Sequence, residues 1–297
     1  MKYYADSKLK NFLFVATLFA PSAAILILVV AYPLLRSFAL SLTGYNIISP
    51  ASHKFIGFAN YAAIWKDEIF WEALKNTLIF NVSSVAGGFL IGFVLALLLN
   101  TNIRFRRIFR GILLAPWVIP YVVIGFLFLY MFNTKIGIVN YSLKQMGLIA
   151  KFLPWLAKPA LAMTAVVIAN IWNQFPFHLT TMLAGLQTVP EDCVEAAKID
   201  GAGTVQVFWH ITLPWLRNII VISTTLMMIQ NFNNFALIWS ITGGGPINST
   251  TTFVIYVFQK AFEEFNFGYA SAIGMVWMAL LVVFACVYMK FAVKEDD

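Results

Sequence analysis

The 297-residue chain is 61% hydrophobic and only 11% charged, far below the roughly one-quarter charged residues of soluble domains, which excludes an ordinary water-soluble globule. Its formal net charge of +7 does not point to nucleic acid, because basic residues that flank apolar runs set membrane topology and meet anionic lipid. The two cysteines, Cys193 and Cys286, fit neither a disulfide framework nor a metal-ligand spacing and read as inert.

The first apolar run, Phe12 to Leu35, follows Lys2, Lys8 and Lys10. It is too long for a signal peptide, whose apolar core is roughly 7–15 residues, and reads as a retained anchor. At about 20 apolar residues per crossing, the chain offers six spans, near 12–35, 77–99, 112–132, 160–183, 218–240 and 269–290. The interval 36–76 carries Gly44, Pro50 and Gly57 with Lys54, Lys66, Asp67, Glu68 and Glu72, and is expected to fold as a loop outside the bilayer. Arg104, Arg106, Arg107 and Arg110 crowd the short segment 100–110 and place it in the cytoplasm. Both termini and the polar stretch 187–217 are then cytoplasmic, while 36–76, 133–159 and 241–268 face the other side. Lys135, Lys144, Lys151 and Lys158 run against this assignment, but the rule weighs short loops most, and five of the six arginines stay inside.

The stretch Gln187 to Asn218 is the longest polar interval that still reads as folded. Thr188 with Glu191 has the spacing of a capping box, and Pro190 falls in the first turn, so a helix is expected to start here. Asp200, Gly201, Ala202 and Gly203 supply the permissive backbone that ends it. Thr204 can cap a second helix toward His210, which Pro214 must stop or redirect. Glu195 and Lys198 would pair on a wet face if this were only a surface helix. Small Ala196 and Ala197, followed by a sharp turn at Gly201, suit instead the close approach of a partner.

The spacing Glu195-Ala196-Ala197, three residues, Gly201, nine residues, Ile211, one residue, Leu213-Pro214 resembles the EAA signature of the inner-membrane subunits of binding-protein-dependent ABC importers. A chance match to all seven positions comes on the order of once in 10⁸ starting points. The resemblance extends along the chain: IGIVNYSLKQMG at 136–147, PWLAKPALAMTAVVIANIW at 154–172, TGGGPINSTTT at 242–252 and FGYASAIG at 267–274 are similar to successive landmarks of the carbohydrate-importing, maltose-type branch. It implies that the loop is a coupling helix seated on an ATPase subunit, with Glu195, Ala196, Ala197, Asp200, Gly201, Leu213 and Pro214 carrying the contact. It also implies a second homologous permease chain in a heterodimer, a dimer of ATPase subunits that uses ATP and Mg, an extracytoplasmic solute-binding protein, and no cofactor on this chain.

Inside the spans no Asp, Glu, Lys or Arg stands well away from the ends, which argues against a secondary transporter or proton relay. His178, alone in the fourth span, reads as a hydrogen-bonded packing residue. Two amide clusters stand out instead: Asn170, Asn173 and Gln174 on one face of the fourth span, and Gln230, Asn233 and Asn234 at the same spacing in the fifth, with Asn231 interleaved. Amides in hydrocarbon must face protein, water or ligand. Helix-to-helix bonding is a common use of single amides in membranes, but seven at one depth, with aromatic rings nearby, suit the neutral hydroxyls and apolar faces of a sugar.

The chain therefore reads as an all-α membrane protein, a single permease domain 1–297 with six transmembrane helices and a helix-turn-helix coupling loop at about 187–217. It sits in a bacterial inner membrane with both termini cytoplasmic. Its expected function is half of an ABC importer's pore for a carbohydrate, without enzymatic activity, since the chain has no GxxxxGK[ST] phosphate loop. The alternatives are a permease for an amino acid, peptide or polyamine, or a channel or secondary transporter. An intramembrane hydrolase lacks HExxH or paired carboxylates at matching depth.

Overall fold

The computed structural model describes residues 2–292 except 50, 52 and 102, with side chains from 14 to 286; Pro50, the side chains of Lys2, Lys8 and Lys10, and the C-terminal end lie outside the described residues. Apart from two isolated β-bridges, Thr43 with Phe55 and Asn46 with Asn266, the described residues are helical or irregular. Five helical segments are long and apolar enough to cross a bilayer: Phe14–Ser41, Glu68–Asn100, Pro159–Leu186, Thr204–Phe232 and Phe267–Cys286. Arg106–Val118 and Tyr121–Met131 are long and apolar enough only together, as a bent pair that makes a sixth span when counted as one.

The chain divides into two compact units, Met1–Lys66 with Val257–Leu280, and Asp67–Tyr256 with Leu281–Asp297. In the first, α1 (Lys2–Leu26) runs through a π-helical turn at Ile27–Ala31 into α2 (Tyr32–Ser41). None of the residues from Phe14 to Val30 is buried, so this rod shows apolar side chains all round. The loop after α2 is folded, as expected. Asn60, in α3 (Ala59–Ile64), donates to the carbonyls of Ser41 and Thr43 at 2.8 and 2.9 Å, and Gly268 N–H reaches Tyr45 O at 2.9 Å.

The second unit is built on α4 (Glu68–Asn100) against α8 (Pro159–Leu186). Asp67 starts α4, its side chain accepting from the amides of Ile69 and Phe70. Contact with α8 is close enough that a Cβ on Gly92 would lie 2.6 Å from the carbonyl oxygen of Phe175. The apolar core forms two clusters along α8, one with Phe80, Ile124, Phe128, Val166, Leu237 and Ile241, the other with Phe93, Ala96, Leu179, Met182 and Leu216.

Two expected straight spans are broken, and each break has a local cause. The span expected at 112–132 is α5 (Arg106–Val118) and α6 (Tyr121–Met131), which meet at 96°. Pro120 has no N–H to offer the carbonyl of Pro116 four residues back, and it drives Ile119 into extended backbone (φ −76°, ψ 131°). The span expected at 218–240 begins earlier, at Thr204, and ends at Phe232. Asn233 and Asn234 leave the helix, and Asn234 restarts the chain as α12 (Phe235–Thr242) by accepting from Leu237 N–H at 3.4 Å. Further on, the TGGGPINSTTT segment is tied down by Thr251 Oγ1 to Gly244 O and by Asn76 of α4, which donates to Asn248 O at 2.8 Å. The 136–147 segment holds α7 (Ile138–Gln145), whose buried Asn140 accepts from Trp155 Nε1 at 3.0 Å.

Candidate functional site

The loop after α8 forms α9 (Glu191–Ile199), without a buried residue. Its start differs from the expected capping box: Pro190 occupies the cap position, and Thr188 Oγ1 donates backward to Gly185 O at 2.8 Å. Its oxygen accepts from Trp215 Nε1 at 3.2 Å rather than from an amide of α9, so the hydroxyl serves α8 and Trp215 and not the cap. The end is as expected from Gly201, which sits at φ +86°. Ala202 N–H reaches Ala197 O at 2.9 Å and Gly201 N–H reaches Lys198 O at 3.1 Å, the paired bonds of a Schellman motif. Glu195 and Lys198 form no ion pair among the described residues. Glu195, Ala196, Asp200 and Gly201 are exposed, Ala197 is half-buried, and Ile199 beside them is 86% exposed. An apolar side chain so open at the end of a small-residue helix gives α9 a surface ready for a partner.

The second helix differs from expectation too. Gly203, not Thr204, is the cap residue, with its N–H bonded to Gln206 Oε1 at 2.8 Å. Pro214 does not stop this helix. The four residues of α10 (Thr204–Val207) pass through a π-helical turn at Phe208–Thr212 into α11 (Leu213–Phe232), so Pro214 lies in the first turn of the following segment. Leu213 N–H reaches back five residues to Phe208 O there. Leu213 is half-buried and Pro214 exposed.

Within the second unit the seven amides divide. Asn170 Nδ2 donates to Asn231 Oδ1 at 2.9 Å, Gln174 Nε2 donates to the same oxygen, and Asn234 Nδ2 donates to Asn170 Oδ1 at 3.0 Å. Asn173 Nδ2 donates to Pro116 O at 2.8 Å, the carbonyl that Pro120 cannot serve. These five side chains are buried, at 4% exposure or less. The expectation of one amide face in the fifth span is therefore corrected. Within α11 Gln230 is exposed and Asn231 buried, and past the helix end at Phe232 Asn233 is exposed and Asn234 buried. His178 is fully buried with Nδ1 2.7 Å from Ser223 Oγ, the packing role expected of it.

Gln230, Asn233 and Asn234 border a cavity of about 560 Å³ whose wall also holds Trp117, Tyr121, Phe177 and Phe235. Asn170, Asn173, Gln174 and Asn231 are absent from that wall. The cavity lies where the α5–α6 and α11–α12 breaks converge, and no charged side chain borders it. Trp117 and Phe177 stand 5.8 Å apart between ring centroids. Irregular backbone at membrane depth is tolerated where it lines such a space. Trp117, Tyr121, Phe177 and Phe235 were not singled out from the sequence; the pair Pro116 and Pro120 was the available signal, since it forces a break inside an apolar run.

Residues 88–293 match the family described as "Binding-protein-dependent transport system inner membrane component". The chain belongs to that family. It is an inner-membrane, multi-pass permease of an ABC importer, the component distinct from the ATPase, and it works with an extracytoplasmic binding protein. Among curated relatives, the permease is 36% identical to the sulfoquinovosyl glycerol transport system permease protein SmoG of Agrobacterium fabrum, over 94% of this chain and 90% of that protein. It is 32% identical to the trehalose/maltose transport system permease protein MalF of Thermococcus litoralis, over 91% and 90%. The lactose transport system permease protein LacF of Rhizobium radiobacter is 33% identical over 95% and 93%. A solved bacterial ABC transporter involved in the import of the acidic polysaccharide alginate shares the fold, with a TM-score of 0.78 over 100% of both chains at 20% identity.

Proposed function

We propose that the permease imports a carbohydrate and that Gln230, Asn233 and Asn234, with the rings of Trp117, Tyr121, Phe177 and Phe235, form this chain's half of the substrate site. The observation that carries the reading is the uncharged, aromatic- and amide-bordered cavity between two helix breaks. Rings stack on the apolar faces of a sugar, and exposed amides offer both donors and acceptors to neutral hydroxyls. Relatives named for sulfoquinovosyl glycerol, trehalose/maltose and lactose support the same substrate class. Asn170, Gln174 and Asn231 act behind the wall, holding Asn234 in place, and Asn173 holds the α5–α6 corner.

Coupling runs through α9. Glu195, Ala196, Ala197, Asp200 and Gly201 dock on an ATPase subunit, and Leu213 and Pro214 join that contact to α11. The remaining partners are a second homologous permease chain, a second ATPase subunit and the binding protein, with ATP and Mg confined to the ATPase pair.

The test is to purify the complete transporter by a tag on this chain, reconstitute it with its binding protein, and measure ATP-dependent uptake across a panel of neutral sugars, amino acids and polyamines. Uptake of a sugar, saturable and weakened in Gln230→Leu, supports the proposal. Uptake confined to amino acids or polyamines would overturn it.

A further inference from the structure

Away from the cavity, the start of α5 holds a cationic cluster that neither pore nor coupling uses. Arg106 and Arg110 lie one turn apart on a single face of α5 and are half-buried. With the Gln187 carboxamide oriented so that its oxygen faces them, both guanidinium groups donate to that one atom, at 3.2 and 3.3 Å. A neutral oxygen shared by two cations cannot offset their charge. The Nε of each arginine is buried without a hydrogen-bond partner, and no ion pair to either is present among the described residues. The first amides of α5 add their own partial positive charge, because Phe105 at its cap supplies no side-chain acceptor.

A groove of about 280 Å³ opens beside this cluster. Arg110 and Gln187 line it together with Leu114, Leu179, Leu183 and Ala184, and the hydroxyl of Thr180, also on the wall, is turned to the carbonyls of its own helix. A cation beside a largely aliphatic wall is the profile of a headgroup with a chain attached, which a free anion would use only in part. The arginines belong to the cytoplasmic side, where the leaflet carries anionic lipid.

We infer that Arg106 and Arg110 bind the phosphate of an anionic phospholipid whose acyl chain lies along Leu114, Leu179 and Leu183. The guanidinium geometry suits a phosphate, which accepts several N–H bonds at once. Gln187 is also the first residue of the coupling loop, directly after α8, so a bound lipid braces the root of α9 against α5.

The complete transporter, reconstituted in phosphatidylcholine with or without phosphatidylglycerol, tests this through native mass spectrometry of retained lipid and through coupled ATP hydrolysis. The wild type should retain phosphatidylglycerol and gain activity from it. The double variant Arg106→Gln/Arg110→Gln should bind it about 25-fold more weakly, at about 5-fold per arginine, while Arg106→Lys/Arg110→Lys keeps most of the response. Leu114→Trp, which fills the groove and leaves the charges, should lower lipid retention as well. Inorganic phosphate added to phosphatidylcholine membranes should not restore activity; if it does, and Leu114→Trp has no effect, the site takes a free anion and the lipid inference fails. Equal lipid retention by wild type and the glutamine variant, with the variant instead losing its ATPase or second permease on purification, would show that the arginines meet a protein carboxylate and would equally overturn it.

Discussion

The coupling loop and the amide layer hold their polar groups in opposite ways. Along α9 no side chain is buried, and the helix is closed by backbone bonds around Gly201. Around Asn231 every amide but Gln230 and Asn233 is buried and bonded. The first region is an open surface with none of its side chains buried in the described chain. The second is a fastening whose partners all lie within it, and only its two outward amides and the edge of Asn234 remain for a ligand. Chemical likeness between Asn231 and Gln230 thus says little about their work; one residue of helical rotation decides it.

The largest expected effect falls on the open region. Gly201→Leu places a branched side chain at φ +86°, costing about 1–2 kcal/mol locally and disrupting the turn that presents Ile199 and Asp200. Uptake should be abolished, as in Glu195→Lys, while the protein still inserts. Normal uptake in both variants, with the ATPase co-purifying, would refute the coupling role.

Next comes the fastening. Asn231→Leu removes the acceptor shared by Asn170 and Gln174 and leaves two buried donors unpaired, at about 1–3 kcal/mol each. Thermal stability and the yield of assembled transporter should fall, and transport per assembled transporter should change little. A stable variant that cannot transport would move Asn231 from fastening to substrate contact.

Gln230→Leu should do the reverse. Loss of one hydrogen bond to a neutral ligand predicts a 5- to 150-fold drop in apparent transport efficiency, about 1–3 kcal/mol, with unchanged assembly. The smallest perturbation needs no change near either region. Cys193 is exposed on α9, so in a Cys286→Ser background an impermeant maleimide should label it in inside-out vesicles and spare it in intact cells; labelling in intact cells would invert the topology.

The same contrast explains how much was legible in the sequence. Glu195 to Gly201 form a local helix and turn, and local structure depends on neighbours in the chain, so the spacing alone located the loop. The turn at Gly201 required only a residue that tolerates positive φ. Thr188 misled because its oxygen accepts from the indole of Trp215, 27 positions away, a partner that the local spacing does not show. The amide spacing of Gln230, Asn233 and Asn234 presumed an unbroken helix, and no hydropathy pattern marks the break at Asn233. Asn173 illustrates the limit most clearly: its partner is a carbonyl 57 positions away, freed by a proline four residues further on from that carbonyl.

The π-helical turn at Phe208–Thr212 sets a phase between two ends of one rod. A π turn carries one residue more than the α turn it replaces, and each α-helical residue amounts to about 100° of rotation and 1.5 Å of rise. Deleting one residue from Phe208–Thr212 would let the ladder close as ordinary helix and swing everything before it by roughly that angle relative to Gln230 and Asn231. The extra residue is therefore a clocking device: it fixes which direction α9 faces when the far end of α11 faces the cavity.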